Sequence, residues 1–182
     1  MSLPQHDQHP GHHPNLHRLS GEAVSRAAEH GLTVATAESL TAGMVAAVLA
    51  DTPGASAMLQ GGVIAYANSV KADVLGVSRD LLDAVGSVDG QVAAAMAAGA
   101  RTACGADVGV ATTGVAGPEP HDGKPVGTVY IGLATGAGAT SFAYRFEGAR
   151  QEIRGLACGA ALERLLEVLG HATAGKVAGN KS

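Results

Sequence analysis

Aromatic residues are scarce in this chain: three Tyr, two Phe and no Trp make up 3% of its 182 residues. With 46% apolar residues, its core must therefore be built from Ala, Val, Leu and Ile, with Gly and Ala allowing helices and sheet to approach closely. Basic residues are also few. Twelve Lys and Arg against sixteen Asp and Glu give a formal net charge of -4, and their scatter leaves no basic stripe for a nucleic-acid surface. The only two cysteines, Cys104 and Cys158, each lie in an Ala/Gly-rich helical context and read as small core residues, not as a disulfide or a catalytic thiol. No apolar run approaches the roughly 18 residues of a spanning helix, and no signal peptide is visible, so a soluble, cytoplasmic protein is expected. Neither a Walker loop nor a GxGxxG motif is present, so no standard mononucleotide or Rossmann site is indicated.

What remains supports one domain with a full core. Residues 1–15, rich in Pro, Gln and His, lack apolar periodicity and read as a disordered arm. His6, His9, His12, His13 and His17 lie in or beside it, and a flexible arm supplies no second shell for a specific metal site. Residues 16–170 read as a single domain and 171–182 as a flexible tail. Within the domain, a helix over about 16–30 should stop at Gly31. A strand over 33–37 leads to a helix over 41–50. Strand 58–66 contains the pair Gly61-Gly62, a pattern that often marks a bulge. Short helices follow over 69–75 and 79–85, then a long Ala-rich helix from Asp89, a plausible cap, to Cys104. Strands over 107–114, 127–135 and 140–146, the last two a hairpin, precede a final amphipathic helix over 150–169. Interleaved helices and strands ending in a hairpin predict an α/β fold, a three-layer α/β/α sandwich with a mixed, mostly parallel sheet.

Three polar turns carry the candidate chemistry. Glu38, Ser39 and Thr41 end the first strand, within ATAESLTAG from Ala35 to Gly43. This edge is where α/β proteins bind ligands, because the first N–H groups of the next helix are unpaired and partially positive. Ser39 there can be a nucleophile, a phosphate ligand or a helix cap, and capping by Ser39 or Thr41 is the ordinary role of such residues. Tyr66, Asn68, Ser69 and Lys71 follow the second strand, and Thr112, Thr113, Gly114, Gly117 and Pro118 end and follow the third. If these strands are neighbours, the turns meet at one rim. Such a set suits acyl transfer: a desolvated, neutral lysine can take a serine's proton, and helix-start N–H groups can hold the oxyanion. The plainer readings are a solvated helix residue for Lys71 and a structural turn for TTGVAGP.

Five blocks in order add to this: ATAESLTAG, GGVIAYANSVK with LGV at Leu75 to Val77, TTGVAGP, KPVGTVYIG at Lys124 to Gly132, and GARQEIRGLACGAALERLL. Together they resemble the C-terminal domain of the CinA (competence/damage-inducible) family, the nicotinamide-nucleotide amidases. The resemblance implies hydrolysis of the carboxamide of nicotinamide mononucleotide to nicotinate mononucleotide and ammonia, as in pyridine-nucleotide salvage, by a serine–lysine arrangement. By motif the nucleophile falls on Ser39 and the base on Lys71, with Tyr66 nearby. Thr113 and Gly114 fall in a turn expected to contact substrate or orient the nucleophile. An arginine of the last block, Arg154 in preference to Arg150, is expected to anchor the phosphate, and Glu38, Thr41 and Gly43 complete the expected substrate-binding set. No cofactor and no metal are implied. The expected partner is a small-molecule nucleotide, not nucleic acid or membrane, in a homo-oligomer of two or more copies. Larger members of the family carry a further N-terminal nucleotide-processing domain, so this chain reads as the stand-alone form. The alternative is a non-catalytic nucleotide-binding or regulatory module. Two departures stand out: Ala42 replaces a usual glycine of the serine motif, and Glu119-Pro120-His121-Asp122-Gly123 replaces a more glycine-rich loop. If Ala42 needs a positive φ, its methyl group costs on the order of 1 kcal/mol.

Overall fold

The computed structural model describes residues 14–171. The arm expected over 1–15 lies outside them except for Pro14 and Asn15, as does the tail beyond His171. Those two residues start a helix instead, α1 (Pro14–His30). Proline suits a first turn, because the N–H it lacks would have no partner there. The helix stops at Gly31, φ 59, as the sequence predicts. Gly31 donates its N–H to the Ala28 carbonyl and Leu32 donates to Ala27, which closes the helix end.

The chain continues through β1 (Val34–Glu38), α2 (Met44–Ala50), a 3₁₀ turn (Ala55–Ala57) and β2 (Leu59–Ile64). Three helices, α3 (Asn68–Asp73), α4 (Arg79–Val85) and α5 (Gly90–Cys104), lead to β3 (Val108–Gly114). Then come the β4 (Thr128–Thr135) and β5 (Gly138–Arg145) hairpin and α6 (Arg150–His171). Asp89 caps α5 by accepting the Gln91 N–H at 2.7 Å. Helix α2 starts at Met44, not Thr41, because Ala42 (φ 50) and Gly43 (φ 95) turn the chain through the left-handed region first.

The sheet order is β2-β1-β3-β4-β5. Pairs β1–β2 and β1–β3 are parallel, while β3–β4 and β4–β5 are antiparallel, so only β4 runs against the rest. Pairing slips from Val34↔Leu59 to Ala35↔Gly61, a bulge beside the glycine pair. Helices α1, α2 and α6 cover one face, packing on Val34, Val108, Val110, Ile131 and Leu133. Helix α5, with residues of α4 and the α3–α4 connection, covers the other, where the strands present Ala35, Ala37, Ala111 and Ala134. The result is the expected three-layer α/β/α sandwich.

The α5 face explains how a chain poor in aromatics fills its interior. Strand and helix are both lined with alanine and glycine, so their backbones come very close. A Cβ on Gly132 would run into the Ala93 carbonyl, and one on Gly109 into the Ala97 carbonyl. Parallel strands β2, β1 and β3 end at one rim. The connections leaving β1 and β3 diverge there, which opens a crevice between their ends.

Gly132→Ala is expected to destabilise the protein by about 2 kcal/mol or more, because backbone must shift to admit the methyl group. Gly21→Ala, in α1 with nothing within 4 Å, is the control and should stabilise by up to about 1 kcal/mol. Urea unfolding midpoints of the two variants test this: equal midpoints would contradict the close approach.

Candidate active site

The β1–α2 turn is organised by a carboxylate. Glu38 is the last residue of β1, and its side chain points toward α2 under the turn, 1% exposed. Its Oε2 accepts the N–H groups of Gly43 (2.9 Å) and Val45 (3.0 Å) and the Thr41 hydroxyl (2.7 Å). Its Oε1 accepts the Ala46 N–H at 2.8 Å. The Met44 N–H is taken by the Thr41 carbonyl. Having donated to Glu38, Thr41 Oγ1 accepts from Thr112 Oγ1, 2.7 Å away. The unpaired helix start expected here is therefore filled from within, and these N–H groups have no capacity left for an oxyanion. Neither Ser39 nor Thr41 caps the helix: the cap position is Gly43, and Glu38 supplies the acceptor. Glu38, Thr41 and Gly43, expected to bind substrate, form this scaffold and are not part of the cavity wall.

From the other side Arg154 braces the same turn. Its Nε donates to the Leu40 carbonyl (2.9 Å) and its Nη2 to the Thr41 carbonyl (2.8 Å). That guanidinium holds backbone, and Arg154, the arginine favoured from the sequence as phosphate anchor, is not among the residues lining the cavity. Cys158 packs in the same interior, where burial, then the Glu38 charge, push its thiol up to about 12 against the opposing pull of Arg154. It stays protonated and is no nucleophile. Ala42 does adopt a positive φ of 50 between these supports, so the departure from glycine carries its cost of on the order of 1 kcal/mol.

The clamped turn leaves Ser39 facing a cavity of about 350 Å³ at the crevice. Its N–H donates to the Thr112 carbonyl at 2.9 Å, tying it to β3. Lys71, on the short helix α3, is 1% exposed, which removes the solvated reading. Its Nζ lies 3.3 Å from Ser39 Oγ and donates to the Tyr66 carbonyl at 3.4 Å. Burial lowers the Lys71 pKa below the usual 10.5, and the Asp122 charge partly opposes this. Among the residues lining the cavity are Tyr66, Gly114, Ala116, Gly117 and Arg150. Arg150, at the start of α6, donates to the Gly117 carbonyl (2.6 Å) and to Tyr66 Oη (3.0 Å). Thr113 sits one layer behind, donating its hydroxyl to the Ser87 carbonyl at 2.7 Å. Ser87 and Val88 line the cavity too, and sequence reading missed them. They lie between α4 and α5, outside every motif, and the one trace in the sequence is the Gly86–Asp89 loop composition.

The site is a hydroxyl beside a buried lysine at the strand-end crevice of an α/β domain. A family model described as the CinA C-terminal domain matches residues 16–169, and the chain belongs to that family. It is 47% identical over 151 residues to a CinA-like protein of Frankia casuarinae, covering 83% of this chain and 35% of that protein. It is 44% identical over 154 residues to a CinA-like protein of Syntrophotalea carbinolica, covering 84% of this chain and 37% of that one. The chain thus spans little more than a third of the length of these curated relatives. Among solved structures, the competence/damage inducible protein of Agrobacterium tumefaciens superposes with a TM-score of 0.81 at 34% identity, covering 93% of this chain and 99% of the other.

Burying Lys71 has a measurable consequence for stability. Its folded-state pKa lies below the unfolded value, so between the two the unfolded chain holds the extra proton. Stability therefore rises with pH through that window up to about 10.5, and below it carries a constant penalty. Lys71→Met should be more stable than the wild type at pH 7, with the gap narrowing toward pH 10 in urea unfolding. A gap that stays constant with pH would show that Lys71 is as easily charged in the fold as in water.

Proposed function

We propose that this domain is an amidohydrolase that converts nicotinamide mononucleotide to nicotinate mononucleotide and ammonia, with Ser39 as nucleophile and Lys71 as general base. The observation behind this reading is the Lys71 nitrogen 3.3 Å from Ser39 Oγ, buried so that its neutral form is favoured. Neutral Nζ takes the hydroxyl proton as Oγ bonds to the carboxamide carbon. Lys71 then returns that proton to the departing nitrogen, ammonia leaves, and an ester on Ser39 remains. Water, deprotonated by Lys71, attacks the ester, and Oγ regains its proton. Clamping the turn through Glu38 and Arg154 favours this chemistry by removing freedom from the nucleophile before substrate arrives.

The family resemblance and the cavity both support this substrate class. Its volume of about 350 Å³ and mixed lining suit a mononucleotide. The phosphate lies a ribose away from the amide, and Arg150 is the cation among the described residues lining the cavity. Its two observed contacts use two of five guanidinium donors, so it can hold the wall and bind an anion together. A binding-only module would gain nothing from desolvating a lysine against a hydroxyl, since that burial costs stability.

Purified protein should release ammonia from nicotinamide mononucleotide. Ser39→Ala should lower kcat by several orders of magnitude in a protein that still folds, the side chain capping nothing. Lys71→Arg should be nearly as damaging as Lys71→Ala, because arginine cannot give up its proton, and wild-type activity should fall on the acid side as Lys71 protonates. Retained turnover in Lys71→Arg would make Lys71 a charge anchor instead.

Arg150→Ala should reduce kcat/KM for the mononucleotide by about tenfold or more, as expected for a lost charge-assisted contact. The phosphate-free riboside should suffer much less. Equal losses on both substrates would move Arg150 from phosphate binding to support of the wall.

A further inference from the structure

The β3–β4 loop supplies a large part of the cavity wall. Pro118, Glu119, Pro120 and His121 form one wall, and Ser87 with Val88 form part of another. These walls come from different connections, β3–β4 and α4–α5. One side chain joins them. Asp122 Oδ2 accepts the Ser87 N–H at 2.6 Å and the Ser87 hydroxyl at 2.8 Å. The Val88 N–H also bonds to this carboxylate.

Local sequence builds the arrangement. His121 and Lys124 exchange backbone hydrogen bonds of 3.1 and 2.8 Å, closing a two-residue hairpin whose tip is Asp122-Gly123. Both tip residues have positive φ, 50 and 68, the geometry for which Asp-Gly is favoured. On the opposite wall Gly86 makes room: a Cβ there would lie 2.7 Å from Asp122 Oδ2. The Ser87 carbonyl is held from behind by Thr113 Oγ1, so the receiving wall is anchored to β3. Burial acts to raise the Asp122 pKa, but the Ser87 hydroxyl and N–H, the neighbouring His121 and the Val88 N–H together bring it below the ordinary carboxylate value. The clasp is therefore ionised at neutral pH, where its hydrogen bonds are strongest.

We propose that Asp122 is a positioning residue that clasps the Pro118–His121 wall to the Ser87–Val88 wall, setting the cavity width that grips the ribose phosphate end of a mononucleotide. Its side-chain hydrogen bonds go to the Ser87–Val88 wall, and its charge reaches Lys71 only through space, so its effect on substrate binding runs through the walls. This rests on the mononucleotide reading above, and the experiment separates the two.

KM and kcat are measured for wild type, Asp122→Ala and Asp122→Asn with nicotinamide mononucleotide and its riboside, beside calorimetric titration with nicotinate mononucleotide. Asparagine keeps an acceptor for both Ser87 donors, whereas alanine removes the clasp. Asp122→Ala should raise KM for the mononucleotide tenfold or more, any change in kcat from the lost charge near Lys71 being shared with Asp122→Asn, and the riboside should be affected less. Asp122→Asn should keep KM for the mononucleotide within threefold of wild type, while loss of the charge acting on Lys71 shifts the acid limb of its kcat profile. An unchanged KM in Asp122→Ala, or equal KM increases in the two variants, would overturn the clasp. Should Asp122→Ala fail to fold, Asp122→Asn still decides, since a tenfold KM increase there would show that the hydrogen-bond geometry is not what matters. If the wild type releases no ammonia but binds nicotinate mononucleotide, with binding weakened tenfold only in Asp122→Ala, the clasp stands and the amidase reading falls. If the wild type binds no mononucleotide at all, both fall.

Discussion

The buried carboxylate of Glu38 is the interaction on which this architecture turns. A charge placed at 1% exposure is costly unless its oxygens are fully used, and here they collect three backbone N–H groups and a hydroxyl. In return it replaces the cap that α2 lacks, fixes the left-handed pair Ala42-Gly43, and directs Ser39 away from the helix into the crevice. Arg154 completes the arrangement by holding the carbonyls of Leu40 and Thr41. The nucleophile candidate thus sits on a turn whose N–H groups and carbonyls are gripped from opposite sides.

The second constraint is closeness. With so few aromatics, the interior on the α5 side is filled by bringing backbones together over Gly109, Gly132 and a set of alanines. That packing tolerates little change of volume and keeps β1 and β3 in fixed relation to the loops around the site. The Ser87 turn leads directly into α5, so the position of the receiving wall inherits the rigidity of that contact.

Electrostatics at the site follow from the same economy of charge. Lys71 is buried in the company of one hydroxyl and one carbonyl, with Asp122 as the charged group acting on it. Desolvation dominates, so the neutral form is favoured. Cys158 responds in the opposite sense to the same low polarity and is silenced.

Much of this was legible in the chain itself. Helix stops at Gly31 and the cap at Asp89 depend on local backbone chemistry, and alternation of strands with helices determines the layers, so fold class needed no coordinates. The three polar turns were legible for the same reason, as breaks in apolar periodicity. What a linear reading could not decide is direction. Glu38, Thr41 and Ser39 are nearly adjacent in sequence, yet two point into the protein and one into the cavity, because strand alternation and the left-handed turn send them to different sides. Read locally, Lys71 is a solvated helical residue, and only the fold buries it beside Ser39. Arg154 and Arg150 lie one helical turn apart, and only the contact of α6 with the serine turn assigns the first to carbonyls and the second to the cavity wall. Ser87 and Asp122, 35 residues apart, meet only in the fold. Local chemistry determined the elements and where their ends fall; which side chain faces the cavity was decided by tertiary packing, since that depends on what each end meets across the crevice.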